Sequence, residues 1–471
     1  MSDNAPNRPL WPFVLLALAL VAAFLLRSIR IEPGESSWRP TGSVEDLVTL
    51  SERTDTNILF VLIDTLRAER MSAYGYERDT TPFLKELAST GIRFDRHIAQ
   101  SSWTKSSMAS LWSGMTPIRV GVTKFNHSVP DEVVMPAELL ADAGFMNVGL
   151  YRNGWVHGYF GFNQGFDKYF RPMGMGLKPT ELQLRPNAQA HGNDETLIDD
   201  AIEFLRIHGE SERWFLYLHL MDLHEYTYDE ESAIFGNTIA DLYDNSLLRT
   251  DWVVSKLYDQ LGKRGLLDET IIVVLSDHGE AFGERGFEGH ARSVFPETTE
   301  TPLIVSLPFA LDEPVVVDAL TSNEDVWPTL LEIAGVTDGR SGIDGHSRYD
   351  AVIASARGTA LPEAVEGDVI MAYLDENWGR PGTEAANAVT VLDGPYRYVA
   401  GTNGDGKPFE ALLSTEDGQQ LNLASAESEV LERMRTIANG ETEKAPVYEQ
   451  QFYELDELQL DQLRALGYEI P

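Results

Sequence analysis

A chain of 471 residues, 43% of them hydrophobic, is long enough for a large buried core and for two or three domains. Its 74 acidic residues against 37 basic ones give a formal charge of −37, spread along the chain, so its field repels polyanions and excludes nucleic acid as a partner. With no cysteine it has neither a disulfide framework nor a thiol nucleophile.

The first element is PLWPFVLLALALVAAFLL, from Pro9 to Leu26, which carries no charge and approaches the length of about 20 residues that crosses a bilayer as a helix. It runs into Leu26-Arg27-Ser28-Ile29-Arg30 without a small-x-small cleavage site, which favours an uncleaved membrane anchor over residues 1–30. Arg27, Arg30 and Arg39 after the span favour a cytoplasmic catalytic domain on positive-inside counting. Long domains translocate largely regardless of that count, and the expected placement is a single-pass protein with its catalytic domain extracytoplasmic, as in a periplasm. Residues 31–56, with Pro, Gly, Ser and mixed charge, read as a linker.

From Asn57 onward the apolar runs NILFVLI (57–63), NVGLY (147–151), WFLYLHL (214–220) and TIIVVLS (270–276) alternate with amphipathic stretches such as PFLKELAST and ETLIDDAIEFLRI. This predicts an α/β catalytic domain over 57–335 with a largely parallel central sheet, closing on a helix in EDVWPTLLEIAG. Over 336–430, DVIMAYL, AVTVLD and YRYVAG read as strands of a smaller antiparallel-sheet subdomain, and 431–471 as a helical tail.

In parallel sheets ligands bind at the carboxyl ends of strands. Two of those ends deliver Asp64, in NILFVLIDTLR, and Asp277-His278, in IIVVLSDHGE. Either aspartate alone also suits a helix N-cap. Two carboxylates with an imidazole at one sheet edge suit a divalent cation. Between them, SSWTKSSMASLWSG places Thr104 at a helix start, where a cation-bound hydroxyl deprotonates near neutral pH and the helix amides hold an anionic phosphoryl or sulfuryl group. Thr104 is the expected nucleophile and a further ligand of the metal.

These features resemble the sulfatase family of the alkaline phosphatase superfamily. The likeness runs through NILFVLIDTLRAERMSAYGYERDTTPFLKELASTGIRF, SSWTKSSMASLWSGMTP, LHLMDLHEY, LSDHGEAFGERGFEGHARS and FEALLSTEDGQQLNLAS, so it covers residues 57 to 430. The resemblance implies a sulfatase-like sandwich, a metal held by Asp64, Asp277 and His278, and Thr104 at the nucleophile position. It implies also that His224 and His290 contact the ester or protonate the leaving group. The chain departs from the family where Cys/Ser-x-Pro-x-Arg, whose first residue becomes formylglycine, is Thr104-Lys105-Ser106-Ser107-Met108. Thr65 replaces the family's second aspartate and His278 its asparagine. Threonine cannot become formylglycine, and the change leans toward phosphoryl chemistry; imidazole shifts the metal preference from calcium toward manganese or zinc.

Of the remaining candidates, His290 suits a general acid. His219, by strand alternation, reads as core. Asp222, His224 and His290 are the available ligands of a second metal, and one metal site is expected. Arg152, near the position of a family lysine, is a candidate to neutralise the bound anion, and Lys105 and Lys124 read by default as solvated charges. The expected activity is metal-dependent (Mn, Zn or Ca) hydrolysis of phosphate, phosphonate or sulfate esters through Thr104. The alternatives are phosphotransfer to a lipid or glycan alcohol, or a silent binding relative. The expected partner is an anionic ester, of a glycan or lipid headgroup among others, with specificity in loops 152–195 and 224–240, whose Trp155, Tyr159, Phe160, Phe162, Tyr226 and Tyr228 either stack on a sugar or pack as core.

Overall fold

In the computed structural model the described residues are 39–172, 192–362, 368–380, 382–402, 406–415, 423–424 and 427–464. The expected membrane span and the end of the tail lie outside them. Among the described residues no helix is long and apolar enough to cross a membrane.

Eight strands form the central sheet: β1 (Asn57–Ile63), β2 (Ile92–Ile98), β3 (Met146–Tyr151), β4 (Lys168–Phe170), β5 (Trp214–Leu220), β6 (Thr270–Leu275), β7 (Leu303–Ser306) and β8 (Val315–Ser322). Their order is β8-β2-β7-β6-β1-β5-β3-β4. Every neighbouring pair is parallel except those of β7, which runs antiparallel to β2 and β6.

The runs are continuous rather than alternating because both faces of the sheet are covered. In β1, Ile58, Phe60 and Leu62 enter one core cluster and Leu59, Val61 and Ile63 the other. Each such side chain contributes roughly 1.5–3 kcal/mol when fully buried. Of the helices α1 (Pro82–Ser89), α2 (Thr104–Ser113), α3 (Asp194–His208), α4 (Ile239–Lys263) and α5 (Asn323–Ile333), α2 and α5 cover the Phe60 face and α1, α3 and α4 the other. Trp112 of α2 stacks on Trp327 of α5 at 5.3 Å, and Trp327 on Phe60 at 5.0 Å. This aromatic layer fixes α2 against the sheet.

The second sheet is an antiparallel meander of β9 (Val369–Asp375), β10 (Asn387–Asp393), β11 (Tyr396–Thr402) and β12 (Pro408–Ser414), covered by α6 (Ser428–Thr442) through Leu431 and Met434. The Tyr373 amide donates to the Gln100 carbonyl at 2.8 Å, joining this sheet to the segment ahead of Thr104.

Two segments differ from expectation. Residues 39–56 are folded rather than a linker: Arg39 donates to Ser306 Oγ and to the Leu307 carbonyl, Ser43 and Asp46 form a capping box on the helix Val44–Thr49, and Leu47 and Leu50 are buried. The tail is helical only in part, since Gln451–Phe452 pairs with His127–Ser128 before the helix Glu457–Arg464 begins.

Candidate active site

Strand register brings the site together. Leu62 of β1 lies level with His219 of β5 and Leu275 of β6, and His219 lies level with Tyr151 of β3. Just past these positions the chain supplies Asp64, Asp277, His278 and Asn153, while Thr104 enters as the first residue of α2, whose N-cap Trp103 offers no side-chain cap. The turn after Asp64 is tight: Thr65 adopts a left-handed φ of 63°.

All six side chains, Asp64, Thr104, Asn153, His219, Asp277 and His278, are inaccessible to solvent. Thr104 Oγ1 lies 3.1 Å from His278 Nε2 and 3.2 Å from Asn153 Nδ2. The same Asn153 nitrogen donates to Asp64 Oδ2 at 2.6 Å, where His219 Nε2 also arrives at 3.1 Å. His278 Nε2 stands 3.3 Å from Asp277 Oδ2 and 3.8 Å from Asp64 Oδ1.

The protons decide what this cluster can hold. His278 Nδ1 faces the Gly279 carbonyl at 3.0 Å; a carbonyl only accepts, so Nδ1 carries the hydrogen and a neutral His278 turns the lone pair of Nε2 toward the carboxylates. Asp64 Oδ1 and Asp277 Oδ2 are buried without a hydrogen-bond partner. An unsatisfied buried polar group costs about 1–3 kcal/mol, more when charged. Two orphaned carboxylate oxygens facing an imidazole lone pair fit a divalent cation. Asp64, His219 and Asp277 also place one ligand atom each within 4.8 Å of one another.

His219, expected in the core, is therefore part of the site. The face it shares with Phe215 and Tyr217 is the one covered by α2, and there its Nε2 meets Asp64. Its Nδ1 meets the Tyr217 hydroxyl at 2.8 Å; when the phenol donates there, Nε2–H donates to Asp64.

Burial pushes the Asp277 carboxyl up, and the Asp64 charge adds to that. Burial acts on Asp64 in the same direction, yet His224, His219 and His278 hold it below the usual carboxylate range. His224, in the turn after β5, is pulled down to about 4, chiefly by burial. Its Nε2 is buried without a hydrogen-bond partner, and its ring lies 4.8 Å from that of His290, which stacks on His278 at 4.7 Å.

Other expected charges lie elsewhere. Lys105 is not solvated: α2 is buried along its whole length, Nζ donates to the Phe125 carbonyl at 2.7 Å and sits 3.3 Å over the Phe160 ring, and burial depresses its pKa. Lys124 is exposed. Arg152 is committed to Asp194, Asp222 and Glu225 at 2.7, 2.5 and 2.7 Å, which removes both Arg152 as an anion binder and Asp222 as a metal ligand. Of the loop aromatics, Trp155, Phe160 and Phe162 are buried core residues.

Residues 56–336 match the model of the sulfatase family, and the chain belongs to that family. It is 23% identical over 343 residues to N-acetylgalactosamine-6-sulfatase of Rattus norvegicus, covering 63% of this chain and 65% of that protein, just under two thirds of its length. It is 22% identical over 440 residues to arylsulfatase A of Homo sapiens, covering 81% of this chain and 86% of that one. The crystal structure of phosphonate monoester hydrolase of Agrobacterium radiobacter shares the fold with a TM-score of 0.62 at 16% identity, over 82% of this chain and 95% of that one.

Proposed function

We propose that this chain is a metal-dependent ester hydrolase that cleaves phosphate or phosphonate esters through a covalent intermediate on Thr104. The observation that supports this best is Thr104 Oγ1 at 3.1 Å from an imidazole nitrogen whose lone pair is set by Gly279, beside two orphaned carboxylate oxygens. Asp64, Asp277 and His278, with the Thr104 oxygen, would hold the cation, and His219 would hold Asp64 from behind. Bound there, a divalent ion supplies charge neutralisation for the ester and a lowered pKa for the threonine hydroxyl.

The chain's own groups do the rest. Asn153 donates to both Thr104 and Asp64 and fixes their spacing. The uncapped first turn of α2 receives the anionic oxygens of the ester. Thr104 Oγ1 attacks phosphorus as the alkoxide, its proton already released, and the alcohol leaves with its electron pair and a proton from His290; water, returning a proton to His290, then cleaves the threonine ester and restores the Thr104 oxygen. A formylglycine hydrate can eject sulfate by collapsing to an aldehyde; threonine cannot, which favours phosphorus esters over the sulfate esters named for the sulfatase relatives. The apolar span Pro9–Leu26 would anchor the enzyme to a membrane, within reach of lipid or glycan esters.

The test is hydrolysis of matched aryl phosphate diester, phosphonate monoester and sulfate by the full chain with manganese, zinc or calcium, beside Thr104→Ala. Phosphorus-ester turnover with manganese or zinc that the variant abolishes is the expected result; sulfate preference or an active variant overturns it.

A further inference from the structure

Beyond β6 the chain passes through Asp277 and His278 and folds into a short hairpin in which Ala281 pairs with Gly289 and Phe282 with Glu288. One more step of that register sets Glu280 opposite His290, and their side chains meet there, His290 Nδ1 at 2.9 Å from Glu280 Oε2. Glu280 is 5% exposed.

Both legs of the hairpin are fastened to the site. Arg67, from the turn after Asp64, donates to the Glu280 carbonyl at 2.7 Å and to Glu284 Oε1 at 2.9 Å. The Ala291 amide donates at 2.8 Å to the carbonyl of Ser102, two residues ahead of Thr104. Ala291 holds a left-handed φ of 55°, a conformation an L-residue keeps only when its surroundings over-determine it. The His290 ring is thereby laid against His278, with 28° between the planes.

We infer that Glu280 is a positioning residue for His290: it fixes the hydrogen on Nδ1 and turns Nε2 toward the oxygen of the leaving group. A carboxylate only accepts, so the bond at 2.9 Å sets the tautomer. As the bond from phosphorus to the leaving oxygen breaks, its electron pair stays on that oxygen, and the proton on Nε2 of the imidazolium moves to it. A neutral imidazole remains, still donating from Nδ1 to Glu280. The same Nε2 then takes a proton from the water that cleaves the threonine ester. This step rests on the reading of Thr104 as nucleophile; the tautomer does not.

The experiment has two arms on the full chain. In the first, 15N-labelled histidine spectra, with the His290 signals assigned by subtraction in His290→Gln, report the tautomer without any need for turnover. Nδ1 protonated in the wild type, and mixed tautomers in Glu280→Ala, is the expected result; a wild-type ring protonated on Nε2 alone overturns the proposal. In the second, a series of aryl and alkyl esters of graded leaving-group acidity is compared across Glu280→Ala and Glu280→Gln. General-acid assistance is typically worth about 10²–10⁴-fold. Glu280→Ala should therefore lose about 10²-fold on the poorest leaving groups and under about 3-fold on nitrophenyl esters, with Gln, whose amide oxygen still accepts from Nδ1, recovering most of the loss. Equal losses across the series would show a structural role and overturn the proposal. If nitrophenyl esters are cleaved as fast by Thr104→Ala as by the wild type, the nucleophile reading has failed, and the tautomer arm still decides the Glu280 pairing.

Discussion

The Tyr243 hydroxyl, carried by α4, donates to the Thr65 carbonyl at 2.8 Å and accepts the Arg67 amide at 2.9 Å. It clasps both sides of the turn that follows Asp64, where Thr65 is held at a φ of 63°. Removing it by Tyr243→Phe leaves a buried carbonyl and amide unpaired, at a cost of about 1–3 kcal/mol. The expected result is a lowered Tm by scanning calorimetry and weaker manganese binding by isothermal titration, since the turn sets the direction of Asp64. Unchanged metal affinity would show that the turn holds without the clasp.

Thr104→Ala should cut ester turnover by at least about 10³-fold while manganese affinity falls by about tenfold or less, because Asp64, Asp277 and His278 remain. Thr104→Ser keeps the oxygen 3.1 Å from His278 and should retain measurable activity. Loss of metal binding in the alanine variant, measured by titration calorimetry, would make Thr104 mainly a ligand.

Asn153 donates from one nitrogen to Asp64 and to Thr104. Asn153→Ala should reduce kcat about 10–100-fold, as changes behind a metal ligand typically do. Asn153→Asp should do worse, by setting a third carboxylate against Asp64. Steady-state kinetics at saturating manganese tests this, and a change confined to KM would contradict it.

Arg152 is buried among Asp194, Asp222 and Glu225, and burial together with Asp194 pushes the Asp222 carboxyl up to about 7. Arg152→Met should destabilise the fold by about 3–5 kcal/mol, since it strands buried carboxylates. Chemical denaturation measures this. A variant of normal stability with a raised KM would return Arg152 to substrate binding.

Asp251 accepts the amides of Phe83 and Leu84 at 2.9 Å each, capping α1 from α4, and burial pushes its pKa up to about 7. The unfolded carboxyl titrates near about 3.9. Between those values the folded state keeps a proton that the unfolded state has lost, so this group's contribution to stability falls as pH rises from about 4 to about 7. Denaturation of Asp251→Asn should lack that part of the slope; parallel pH profiles for the two proteins would refute it.

The sequence carried much of the site because strand ends are legible. A run such as NILFVLI can end in a buried Asp64 only if something charged meets it, and IIVVLSDHGE repeats the pattern. Asn153 follows its strand by two residues, as Asp277 does, but an uncharged amide after YR gives no comparable signal. His219 reads as core in the sequence because alternation assigns a side chain to a face without saying which helix covers it. Lys105 reads as solvated until α2 is seen to be buried along its whole length; its small residues Ser106, Ser107, Ala109 and Ser110 were the available hint. The partners of Arg152 lie 42, 70 and 73 residues away, beyond any local pattern. Residues 39–56 did carry a signature, the Ser43 to Asp46 capping box, in a stretch that composition alone marked as a spacer.

The pairing of Gln451–Phe452 with His127–Ser128 bears on the order in which the protein is made. The Tyr453 amide donates to the Asn126 carbonyl, and the Tyr453 ring stacks on Tyr159 at 4.6 Å, roofing the loop whose Phe125 carbonyl accepts from Lys105. On the ribosome Asp64, Thr104, Asp277 and His278 are all synthesised well ahead of this roof, His278 preceding Gln451 by 173 residues. A nascent chain halted near residue 443 would hold every proposed ligand of the cation and still expose the loop beside α2, so quality control acting on such a fragment would meet an uncovered aromatic loop rather than a missing ligand.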